Sequence, residues 1–180
     1  MNIKNSRHTT RILFQHNLNI VDKQRYKTMA AKTVSSIIEM SRTLHKDLLK
    51  KIQNKESAVN DTRLSAALEY LETLESKTTE MIEEVPKSNR KNIMDTYIRY
   101  YPVDEEDEAQ ATLENVNASD IDSLMFAMVK VRQKLVNIYD FCTTDAQIPE
   151  VKKLMENIRD FEVSKLHEIS RQLNEFEMQR

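Results

Sequence analysis

The sequence predicts an all-helical chain: an antiparallel four-helix bundle built from two helical hairpins joined by a long crossover. Three observations carry this. The 180 residues contain no Gly and only three Pro, which counts against the tight turns of β-hairpins and the phosphate-cradling loops that depend on Gly. Apolar residues recur at i, i+3 and i+4 along four segments, the period of a helix with one buried face. The second half of the chain then repeats the apolar pattern of the first at a single offset.

The first helix is expected from about Lys23 to Gln53, with the stripe Val34, Ile37, Ile38, Ser41, Leu44, Leu48 and Ile52. The second runs from about Thr62 to Val85 behind Asp61 as N-cap, with Leu64, Leu68, Leu71, Leu74, Met81 and Ile82 inward and Pro86 as its stop. Residues 86–118 read as a long connection. Ile93, Met94, Tyr97 and Ile98 suggest one short helix within it, and the acidic run 104–108 reads as a solvated segment. The third helix starts after Ser119, which forms an approximate capping box with Asp122, and buries Ile121, Leu124, Met128, Val131, Leu135, Ile138 and Cys142. The fourth opens with Pro149 at its first position and buries Val151, Met155, Ile158, Phe161, Leu166, Ile169, Leu173 and Phe176.

An offset of 87 residues carries the second helix onto the fourth (Leu64 to Val151, Leu71 to Ile158, Ile82 to Ile169) and the first onto the third (Val34 to Ile121, Leu48 to Leu135). One offset serves both pairs, so the two hairpins have inner loops of equal length. The organisation expected is an N-terminal arm over 1–22 and one bundle over 23–180, divided into a hairpin at 23–85, the connector at 86–118 and a hairpin at 119–178. Two hairpins and one long connector fit a bundle with a single crossover. The arm is basic, with Lys4, Arg7 and Arg11 ahead of the first acid, Asp22, and its apolar run Ile12-Leu13-Phe14 is too short for a secretory leader. His8 and His16 within it read as surface residues.

Composition narrows the function classes. With 31% charged and 39% hydrophobic residues the chain is globular in type, and a formal net charge of -2 gives no general attraction to nucleic acid or anionic lipid. There is no apolar run of membrane-spanning length. Cys142 is the single cysteine and excludes an internal disulfide, which suits a reducing cytoplasm; on its apolar stripe it reads as a small core residue. No nucleophile and base can be paired by spacing, so no catalytic residue is expected.

The informative positions are polar ones on the apolar faces. Glu75 and Thr78 interrupt the second helix, and Glu162 and Lys165 stand at the matching positions of the fourth. Arg132 interrupts the third helix, and His45 is its equivalent in the first. Either these residues sit at the stripe's edge and snorkel to water, or they form one interior site in which charge must be paired, since unpaired burial costs several kcal/mol. His167, out of phase with the stripe, reads as a surface histidine.

This pattern resembles the ferritin-like superfamily, and the rubrerythrin family in particular. The stretch from Pro149 to Lys165 is similar to the fourth helix of rubrerythrin. Tyr139, seven residues after Arg132, resembles a Tyr seven residues after the third-helix ligand of that family. The connector Asp95–Tyr100 looks like one found in uncharacterised bacterial members of the group. The resemblance covers roughly residues 25–178. It implies a site in which each hairpin gives one Glu from its first helix and Glu-x-x-His from its second, together holding two iron or manganese ions. This chain keeps Glu75 and Glu162, but has His45 and Arg132 for the other two Glu positions and Thr78 and Lys165 for the two His. Two fixed cations with only two carboxylates disfavour a pair of divalent ions. The expectation is therefore a non-catalytic bundle with no cofactor, in which Glu75 and Glu162 face Arg132 and Lys165, and which acts through a protein partner or as a homodimer. Two alternatives stay open. One is an altered iron or manganese site, or an oxidoreductase, using His45, Glu75 and Glu162. The other is a regulatory adaptor using the arm and the acidic connector.

Overall fold

The computed structural model describes residues 29–56, 62–117 and 121–178. Helices account for 85% of the structure, so the chain is all-α in class. The element order is β1 (Met29–Thr33), α1 (Val34–Glu56), α2 (Thr62–Ser88), α3 (Lys91–Met94), β2 (Tyr97–Pro102), α4 (Val103–Asn115), α5 (Ile121–Asp145) and α6 (Pro149–Met178). The four long helices pack as α1 with α2 and α5 with α6, while α4 lies on α5 and touches α1. The arm 1–22, with His8 and His16, and the cap candidates Asp61 and Ser119 lie outside the described residues, as do the side chains of Leu64, Ile121, Leu173 and Phe176.

The expected stripes form the core. Val34, Ile37, Leu48, Ile52, Leu68, Leu71, Ile82, Leu124, Met128, Val131, Leu135, Ile138, Val151, Met155 and Ile169 are all buried. Burying each aliphatic side chain is worth about 1.5–3 kcal/mol relative to exposure, so the repeated stripe is the main source of cohesion. Met81 and Phe161 are partly buried at the margins of this core.

Four expectations about local structure need correction. The first helix begins at Val34, and Met29–Thr33 is a strand paired antiparallel with Tyr97–Pro102, in register Met29 with Pro102 and Thr33 with Tyr97. The lack of Gly argued against strands, but the argument covers only strands joined by a tight turn. These two are joined through α1 and α2 and need no such turn. Their pairing overrides the helix propensity of Met29-Ala30-Ala31-Lys32. Thr33 then caps α1, its Oγ1 accepting the Ser36 N–H at 3.1 Å while Ser36 Oγ donates to the Thr33 carbonyl at 2.8 Å.

Second, α2 runs two residues beyond Pro86, which sits in its last turn. There the missing N–H removes one bond without breaking the helix interior. Third, the short connector helix is only Lys91–Met94; Tyr97 and Ile98 belong to β2. Fourth, the acidic run opens α4, with Asp104, Glu105 and Glu106 in its first turn, where the helix dipole favours negative charge. Glu105 is buried there, accepts from Asn137 Nδ2 at 3.0 Å and pairs with Lys134 at 3.2 Å. Lys32 of β1 pairs with Glu106.

The connector is thus an ordered strap. The Val34 N–H donates to the Thr96 carbonyl at 2.9 Å, tying it to the start of α1. The Arg99 and Tyr100 N–H groups donate to Asp145 Oδ2 at 3.0 and 3.3 Å, tying it to the end of α5. Tyr101, on β2 within the strap, is fully buried, with Lys32 Nζ 4.6 Å from the ring centroid.

Candidate functional site

Each long helix sends one ionisable side chain into the interior at one level: His45 from α1, Glu75 from α2, Arg132 from α5 and Glu162 from α6. All four have 0% exposure. Each lies one helical turn or less from buried aliphatic neighbours (Leu44, Leu48, Leu74, Val131 and Ile158 among them). The periodicity that buries those neighbours therefore leaves the charged side chains no route to water.

The four close into a ring. His45 Nδ1–H donates to Glu75 Oε2 at 2.9 Å and Nε2–H to Glu162 Oε1 at 2.9 Å. Arg132 Nη1 donates to Glu162 Oε2 at 2.7 Å and Nη2 to Glu75 Oε1 at 2.5 Å. Every carboxylate oxygen of the ring has a cationic donor. The ring follows the 87-residue repeat: His45–Glu75 within the first hairpin answers to Arg132–Glu162 within the second, and each cation also reaches the acid of the other hairpin. Thr78 completes the set, accepting from Arg132 Nη2 at 3.2 Å and donating to the Leu74 carbonyl at 2.8 Å.

The protonation states follow from this geometry. Burial by itself would depress His45, but the charges of Glu162 and Glu75, with their hydrogen bonds, outweigh it and raise the imidazole to about 9. Burial pushes Glu75 up, but Arg132 and then His45 hold it below the usual carboxylate range. Glu162 behaves likewise, with His45 ahead of Arg132. Burial opposes the Arg132 charge too, and Glu75 and Glu162 overcome it. The ring is therefore two carboxylates, one guanidinium and one imidazolium, with no net charge. Burial raises the Tyr139 hydroxyl two turns further along α5, and it raises the Cys142 thiol, assisted by the Asp145 charge. Neither is poised as a nucleophile.

Five of the six positions singled out in the sequence come together; Lys165 does not. Its ammonium reaches Glu168 on the same helix at 2.8 Å and lies 5.7 Å from the Phe161 ring centroid, with the side chain 22% exposed. The expected partnership of Lys165 with the acids is corrected accordingly: the second cation of the ring is His45. Two signals in the sequence pointed there. Glu168 stands three residues after Lys165, the spacing of a surface pair, and His45 is the repeat equivalent of Arg132. His167 is exposed, as its phase required.

The donor chemistry does not fit a pair of metal ions. Both His45 nitrogens and all four carboxylate oxygens are committed to hydrogen bonds inside the ring, and a guanidinium that cannot lose its proton stands between the acids. Among the described residues no group of three or more His, Cys, Asp and Glu side chains is arranged to hold a metal ion. No helix of the described residues is long and apolar enough to cross a membrane. Comparison with protein-family models, curated proteins and solved structures finds no match to this chain.

Proposed function

We propose that the chain is a ferritin-like four-helix bundle that has exchanged a di-metal centre for a ring of ion pairs, and that it works without catalysis, by holding a shape that a protein partner or a second copy contacts. The 87-residue repeat, the ordered strap between the hairpins and the convergence of one residue from each long helix support the class. The observation that carries the loss of metal chemistry is Arg132, fully buried and donating to both Glu75 and Glu162. A guanidinium bound to both carboxylates supplies the charge that a metal would otherwise bring, and its pKa stays far above neutral pH. The Cys142 thiol and the Tyr101 and Tyr139 hydroxyls are buried and raised away from ionisation, so none of these three is prepared for covalent or acid–base work, which favours association as the mode of action.

The test is metal content by mass spectrometry on tag-free protein, before and after anaerobic incubation with ferrous iron. The expected result is no stoichiometric iron or manganese in either state. One or two tightly held ions per chain would overturn the reading and return His45, Glu75 and Glu162 to the role of ligands.

A further inference from the structure

We propose that Arg132 by itself closes the interior to divalent metal ions: its guanidinium fills a cation position whose remaining walls are a metal-binding set of oxygens. The inference deepens the metal-free reading above and rests on it. Three oxygens surround the guanidinium nitrogens: Glu75 Oε1 at 2.5 Å, Glu162 Oε2 at 2.7 Å and Thr78 Oγ1 at 3.2 Å. All three come from α2 and α6, and none from the helix that carries the arginine. Truncating the side chain at Cβ therefore removes the occupant and leaves the walls in place.

Two carboxylate oxygens and a hydroxyl are hard donors that suit Mn2+ better than softer ions. The space vacated by the guanidinium leaves room for water ligands to complete the coordination. The outer carboxylate oxygens stay bound to His45 at 2.9 Å each, the kind of outer hydrogen bond that orients ligating carboxylates.

Placement explains why Arg132, rather than His45, decides the matter. The intact ring is neutral, so a divalent ion entering it would stand against two cations in a medium that screens poorly. The guanidinium occupies the inner carboxylate oxygens, where the ion would sit, and cannot lose its charge, whereas His45 holds only the outer pair. Without the guanidinium the ring carries one negative charge, which favours entry of a divalent ion.

The experiment titrates Mn2+ into the full chain and into its Arg132→Ala and Arg132→Gln variants. Binding is read as loss of the free-ion electron paramagnetic resonance signal. The natural chain should leave the signal unchanged. Each variant should take up one ion, and adding Glu75→Gln should abolish the uptake. A folded Arg132→Ala or Arg132→Gln chain that binds nothing at millimolar Mn2+ overturns the inference, as does uptake indifferent to Glu75→Gln. Where both variants are unfolded without metal, the readout is recovery of helical circular dichroism on adding Mn2+, and no recovery counts against the inference equally. Binding of Mn2+ by the natural chain is a different failure, because it sinks the metal-free reading itself.

Discussion

Replacing Arg132 by Met keeps most of the side-chain volume and removes the charge, and it should destabilise the protein severely. Three hydrogen bonds disappear, to Glu162, Glu75 and Thr78 at 2.7, 2.5 and 3.2 Å. Two of them join ionised groups, which are worth about 1.5–3 kcal/mol each. The greater cost is what remains: two carboxylates with no exposure, now sharing only the imidazolium. Removing one partner of a buried ion pair costs about 3–5 kcal/mol, whereas replacing the whole set with apolar side chains of similar volume is often neutral or stabilising. The expectation for Arg132→Met is thus a loss of about 3–5 kcal/mol in urea unfolding followed by circular dichroism. In a chain of this size it would lower the melting temperature by roughly 6–20 °C. The companion variant, with His45→Phe, Glu75→Leu, Glu162→Leu and Arg132→Met together, should recover most of that loss. A single variant within about 1 kcal/mol of the parent, the usual range for an exposed pair, would refute the claim that the ring is sealed from water. So would a fourfold variant less stable than the single one.

Three further outcomes follow from the same contacts. Because the folded value of His45, about 9, lies above its ordinary 6.5, its stabilisation should be fully present below pH 6.5 and lost as pH rises through 9. The change is on the order of 3 kcal/mol; urea midpoints across pH 7 to 9.5 should fall in the parent and stay flatter in His45→Gln, and equal slopes would exclude an imidazolium in the ring. Lys165→Met should change stability by less than about 1 kcal/mol, since its partner Glu168 is a half-exposed neighbour on the same helix; a cost near that of Arg132→Met in the same denaturation assay would restore Lys165 to the interior. Thr33→Ala should cost about 1 kcal/mol through loss of the α1 cap, measured by thermal melting, and no change would mean that the β1–β2 pairing alone positions the start of that helix.

How much of this was legible beforehand depended on whether the deciding interaction was local. Helical period alone places Leu48, Leu71, Leu135 and Ile158 on inward faces, because a residue's angle around its own helix does not depend on what the helix meets. The same period put His45, Glu75, Arg132 and Glu162 on those faces, and the 87-residue repeat paired them by position. Which cation met which acid was not available from phase. Lys165 occupies a matching position, yet its long stem carries the ammonium to Glu168, an outcome set by packing rather than by helical phase. The strands were illegible for a related reason. Met29–Thr33 and Tyr97–Pro102 are extended only because each supplies hydrogen-bond partners to the other across more than sixty residues, and no local signal records that. Glu105 read as a solvated acid and is buried, because Lys134 and Asn137 on another helix meet it. The sequence by itself determined which faces of the four long helices turn inward; the tertiary structure decided the partners, the strands and the burial of Glu105, because pairing energy depends on distances between elements that no single helix contains.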